Sequence, residues 1–147
     1  MITAQNRKYT TSEMKSRVRL ISAIVFCIYL VAVGILCFVK TDGIPMMDYR
    51  IFGLGIDKIG HLIMFIPFPA LGYMTFVGEW KETWRHFLLL GCIIILGVAV
   101  ASGTEMVQSM TGYRSSDIWD FAADISGMAA GGIMTSALIL YRTKKAK

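Results

Sequence analysis

Residues 118–141, IWDFAADISGMAAGGIMTSALILY, put two aspartates, three glycines and a long apolar run into one segment. A bilayer hydrocarbon core of about 30 Å takes roughly 20 helical residues, so the segment is long enough to cross one. Lipid offers no partner to backbone polar groups, and a continuous run of this length satisfies them as a helix. Its polar residues are not scattered. Asp117, Asp120 and Asp124 stand at i, i+3 and i+7 and share one helix face, which Gly127 and Gly131 continue with Ala123 beside it. Small residues four apart let a neighbouring helix approach closely. The carboxylates are therefore expected to face other helices and not lipid, which makes this segment one member of a bundle.

Three further runs supply the rest of the bundle. Leu20–Val39 has no charge in twenty residues, Ile59–Gly78 is interrupted by His61, Pro67 and Pro69, and Phe87–Gly103 continues in helical pattern through Glu105 and Gln108. The fold class expected is all-α: an integral membrane bundle of four transmembrane helices at about 20–39, 59–78, 87–108 and 118–141, forming a single domain over 1–147. Composition agrees, with 55% hydrophobic and 17% charged residues and a mean hydropathy of +0.58. Soluble domains average about 45–50% apolar and about 25% charged, so composition argues against a soluble enzyme and rules out a disordered chain. Cys27, Cys37 and Cys92 lie inside apolar runs with no CxxC or Cys/His spacing, which leaves neither a disulfide framework nor a zinc motif. A cleaved signal peptide is the alternative for the first run, but that run exceeds the 7–15-residue apolar core of such a peptide.

Charge gives the orientation. Arg7, Lys8, Lys15, Arg17, Arg19, Lys81, Arg85, Arg142, Lys144, Lys145 and Lys147 fall on one side; Lys40, Arg50, Lys58 and Arg114 fall on the other. The positive-inside rule then places both termini in the cytoplasm. Trp80 and Trp84 would mark the inner interface, with His86 beside them as an interfacial residue, and Tyr113 and Trp119 the outer one. Residues 1–16 read as a flexible polar tail. Residues 41–56 read as a loop lying along the outer surface. The net charge of +5 is the topology signal and calls for no nucleic acid.

With that topology, ionisable residues from separate segments meet at one depth. Asp57, Lys58 and His61 open the second span, Glu105 and Gln108 close the third, and Arg114, Asp117, Asp120 and Asp124 lead into the fourth. A charge at mid-membrane costs about 2.5–3.5 kcal/mol on insertion scales, so such groups are normally paired and usually functional. Two readings stand. Lys58, His61 and Arg114 simply neutralise the carboxylates and pin the helices, or the set forms a polar pocket at headgroup depth. In the second reading His61, Glu105, Asp120 and Asp124 are the candidate catalytic residues, and Lys58, Gln108, Arg114 and Asp117 the candidate substrate contacts. Gly127 and Gly131 are packing residues. His61 is an acid or base near neutral pH, and the N-termini of the second and fourth helices favour an anion. No nucleotide-binding, hydrolase-elbow or zinc-protease motif occurs. No cofactor is expected, although Glu105, Asp120 and Asp124 make a divalent cation chemically allowed.

The pattern DKIGHLIMF (57–65), GTEMVQSM (103–110) and YRSSDIWDFAADISGMAAG (113–131) resembles the VanZ-like family of bacterial membrane proteins. The matching residues are Asp57, Lys58, His61, Glu105, Gln108, Arg114, Asp117, Asp120, Gly127 and Gly131. Asp124 stands where that pattern carries asparagine, and so adds a possible charge. The resemblance implies a multi-pass protein of the bacterial inner membrane. The family takes its name from a protein associated with resistance to the glycopeptide teicoplanin. Two functions are carried forward. One is an enzyme modifying a lipid headgroup or lipid-linked glycan precursor at the outer face. The other is a non-catalytic binding or shielding protein that alters glycopeptide susceptibility. The expected partner is a membrane lipid or lipid-linked precursor, and a homo-oligomer is compatible with so small a bundle. A transporter is disfavoured by the absence of an internal repeat and of a mid-plane charge.

Overall fold

The computed structural model describes residues 2–38, 50–51, 54–111 and 118–145. Helix α1 runs over Ile2–Phe38, α2 over Ile56–Phe65, α3 over Pro67–Phe76, α4 over Thr83–Thr111 and α5 over Ile118–Lys145. Two-residue strands β1 (Arg50–Ile51) and β2 (Leu54–Gly55) pair antiparallel just before α2. Among the described residues, four segments are long and apolar enough to cross a membrane: Ser16–Cys37, Ile56–Phe76, Thr83–Met110 and Ile118–Lys145. Residues 2–15, expected as a polar tail, continue the α1 helix; they contain neither glycine nor proline to stop it. Of the expected outer-surface loop, residues 41–49, 52 and 53 lie outside the described residues.

The second span is two helices in sequence because of its prolines. A proline inside a helix removes one N–H and clashes with the carbonyl four residues back. Pro67 and Pro69 stand two residues apart in the first turn of α3, and α2 gives way to α3 at Ile66. Ile66 itself keeps right-handed helical angles (φ −57°, ψ −45°), so the chain crosses the break without reversing. The Tyr29 hydroxyl braces this region from α1 by donating to the Met64 carbonyl at 2.6 Å.

Side-chain bonds at the helix ends show that successive spans are antiparallel. Arg19 near the start of the first span donates to the Val77 carbonyl that ends α3 (3.1 Å). At the opposite end, the Gln108 amide donates to the Cys37 carbonyl in the last turn of α1 (2.6 Å). Lys58 and His61 of α2 meet Asp120 and Asp124 of α5 at that same end. The core between the spans is apolar and continuous. Phe26, Phe68, Tyr73, Leu90, Ile93 and Ile139 pack in one half, and Val33, Cys37, Phe65, Ala101 and Met128 in the other. The outside is apolar as well, with Ile95 at 71% and Ile133 at 72% exposure. Such a surface suits lipid and not water.

The tightest crossing is between α5 and the α2–α3 region. A Cβ on Gly127 would run into the Leu62 carbonyl, and one on Gly131 into the Ile66 carbonyl. Only glycine allows the two backbones this close, as the small-residue spacing predicted. His86, expected in a loop, lies in the first turn of α4 and is buried. Its Nδ1 bonds the Tyr73 hydroxyl (2.8 Å) and its Nε2 the Trp80 carbonyl (3.1 Å), and these two bonds explain its burial. The Trp84 ring is exposed at this end, with the Arg85 guanidinium 5.5 Å from its centre.

Candidate functional site

The polar cluster occupies the end of the bundle opposite His86. Gly55, in extended backbone (φ −62°, ψ 145°), precedes α2 and puts Asp57 in its first turn, where a carboxylate meets the positive end of the helix dipole. Asp120 holds the equivalent place in the first turn of α5. Between them lies Lys58, whose ammonium donates to Asp120 Oδ1 at 3.1 Å and sits 3.5 Å from Asp57 Oδ2. Asp120 is 2% exposed, so this ion pair is largely withdrawn from solvent on its acidic side. Buried charges are retained where they are paired.

One turn deeper, His61 Nδ1 and Asp124 Oδ1 are 2.9 Å apart, and the two residues are 4% and 0% exposed. This bond is the interior counterpart of the Lys58–Asp120 pair: α2 residues three apart meet α5 residues four apart. The two contacts follow from the glycine face of α5, because the approach at Gly127 and Gly131 holds α2 and α5 close enough for short side chains to touch. Glu105 enters from α4. Both its carboxylate oxygens are buried. One ligand atom each from His61, Glu105 and Asp124 lies within 4.8 Å of the other two.

The structure thus brings together Lys58, His61, Glu105, Asp120 and Asp124 from three helices. It also divides the roles of the two aspartates, which spacing left open. Asp120 pairs with the lysine, whereas Asp124 is the residue that holds the histidine. The carboxylate trio considered above for a cation is not the set that converges, since Asp120 is turned to Lys58 and His61 takes its place beside Glu105 and Asp124. Gln108 is buried and its amide nitrogen donates to the Cys37 carbonyl of α1. Nothing in the sequence signalled the Cys37 carbonyl as its partner, because an orphan carbonyl at a helix end belongs to the backbone and leaves no residue signature. Arg114 and Asp117 lie outside the described residues.

Four membrane-crossing helices around a buried histidine–carboxylate cluster at one end define a multi-pass membrane protein with a built polar site. The chain belongs to the VanZ-like family: the family model described as VanZ/LLP1 matches residues 5–140. Comparison with curated proteins and with solved structures finds no match.

Proposed function

We propose that the cluster is the active site of an enzyme that hydrolyses or transfers the headgroup of a membrane lipid or lipid-linked glycan precursor. In this reading both termini are cytoplasmic and the site faces the outer leaflet of the inner membrane, an orientation supported by the eleven-to-four partition of Lys and Arg. The observation that carries the proposal is the His61–Asp124 bond at 2.9 Å, buried at the end of a membrane span with Glu105 beside it. A helix-pinning pair needs one cation and one anion, and Lys58–Asp120 already supplies them. A second, histidine-based pair with a further carboxylate is the composition of proton-transfer machinery.

The chemistry follows from the positions. Asp124 accepts from His61 Nδ1–H and fixes the tautomer in which Nε2 is the base. His61 takes the proton of the attacking hydroxyl or water as its oxygen bonds to the headgroup phosphorus or carbon. Glu105, in its acid form, delivers a proton to the departing oxygen as the old bond breaks. Lys58, held in place by Asp57 and Asp120, meets the phosphate's negative charge.

The test is reconstitution of the full chain in vesicles made from the source bacterium's own polar lipids, followed by mass spectrometry of the lipid and water-soluble fractions. Wild-type protein is expected to convert one headgroup species with time, and the Glu105→Gln variant to lose about a hundredfold or more of that rate. A lipid profile that wild-type protein leaves unchanged overturns the enzymatic reading. Headgroup binding without turnover, with glycopeptide tolerance that tracks the wild-type protein in cells, would instead favour the shielding function.

A further inference from the structure

We propose that His61, Glu105 and Asp124 form a binding site for one divalent transition-metal ion of the manganese or zinc type. The first ground is convergence. Three side chains on α2, α4 and α5 each bring a ligand atom to within 4.8 Å of the others. The second is the spacing of the best-defined pair. Bonds of about 2.1 Å put adjacent ligand atoms about 3 Å apart in an octahedral site and about 3.4 Å apart in a tetrahedral one. His61 Nδ1 and Asp124 Oδ1 are 2.9 Å apart. An ion can therefore take the place of the proton between them with little movement of either side chain.

Charge and donor type narrow the ion. Metal binding would displace the proton that Glu105 carries in the proton-transfer reading; with both carboxylates then ionised and the imidazole neutral, the triad offers two negative charges in a region where Asp124 is 0% exposed and His61 4%. A divalent cation cancels that charge, and buried charges are stable when they are paired or coordinate a metal. One imidazole and two carboxylates is a mixed nitrogen–oxygen set. It suits zinc or manganese, and it lacks both the six to eight oxygens that calcium takes and the thiolates that select copper(I). Three protein ligands leave coordination positions for water or a phosphate oxygen, the arrangement of a catalytic site as opposed to a closed structural one. Rigidity is supplied by the frame, since Gly127 lies one turn beyond Asp124 on α5 and fixes that helix against Leu62, the neighbour of His61.

The site stands on the geometry of the triad and goes beyond the headgroup reading. An ion held there would supply Lewis-acid chemistry and an activated water in place of the proton transfer assigned above to His61 and Glu105, while Lys58 remains a phosphate contact.

The experiment is metal binding by the purified full chain in detergent, with Mn²⁺ and Zn²⁺ tested separately after stripping with a chelator. Equilibrium dialysis with elemental analysis is expected to give one ion per chain. Near-isosteric Glu105→Gln and Asp124→Asn are each expected to weaken binding about tenfold or more, and Glu82→Gln, at an exposed acid in the loop before α4, to leave it unchanged. Pulsed electron paramagnetic resonance of the Mn²⁺ form should show imidazole nitrogen coupling that His61→Gln abolishes, a readout that a merely misfolded variant cannot mimic when wild type shows the signal. No ion retained by wild type, or equal retention by wild type and all the triad variants, overturns the site. Ion binding without lipid turnover would remove the proposed reaction and leave the metal site standing. Turnover in metal-free assay by protein that retains no ion would remove the metal site alone.

Discussion

Gly131→Ala is expected to destabilise the bundle even though it replaces glycine by the best helix former. In a helix interior alanine gains about 1 kcal/mol over glycine. At position 131, however, the added carbon meets the Ile66 carbonyl oxygen, with Pro69 Cδ only 3.1 Å away. Both neighbours belong to the proline-constrained break between α2 and α3, so neither is the movable tip of a flexible side chain. Overpacking of this kind costs about 1–3 kcal/mol and occasionally more, enough to outweigh the propensity gain; Gly131→Leu adds bulk to the same clash and should prevent assembly. Gly91→Ala is the contrast, because an added Cβ there meets nothing within 4 Å. Thermal unfolding in detergent, followed by the loss of monodisperse protein, should rank Gly91→Ala at or above wild type and Gly131→Ala below it. Loss of α2–α5 packing should also reach function, since the same crossing sets the distance from His61 to Asp124.

Position 124 separates stability from chemistry. Asp124→Ala strips a buried partner from His61, and a buried hydrogen-bonding group so abandoned costs about 1–3 kcal/mol, more if it is charged. Asp124→Asn keeps the size and an oxygen acceptor for the imidazole N–H while removing the negative charge. We expect Asp124→Ala to unfold at distinctly lower temperature than wild type, and Asp124→Asn to unfold within a few degrees of it while remaining inactive toward lipid. Full cellular function in Asp124→Asn would show that the anion is dispensable and that an oxygen acceptor at position 124 suffices to hold His61.

The sequence made the bundle legible for one reason: a membrane span must be long, apolar and helical, and each run meets that requirement. The helix ends were less legible, as α1 shows by continuing from Ile2 where a tail was expected. A sequence of polar residues without glycine or proline is compatible with either state. The candidate site was legible as a depth, because Lys58, His61, Glu105, Asp120 and Asp124 all fall near the same ends of their spans. Which aspartate meets which cation was not. That depends on the rotation of α5 against α2, fixed by backbone contact at Gly127 and Gly131 and not by any property of the charged residues themselves. His86 illustrates the same limit. Its burial rests on the Tyr73 hydroxyl and a carbonyl at Trp80, two partners that local sequence does not bring together.

The most direct measurement of the central claim is mass spectrometry of envelope lipids and lipid-linked precursors in three strains: a deletion, the deletion restored with wild type, and the deletion restored with Glu105→Gln at matched protein level. A lipid-headgroup enzyme predicts one species that changes on deletion, returns with wild type and fails to return with Glu105→Gln. A lipid pool identical across all three strains, with the wild-type protein present and folded in the membrane, would contradict it.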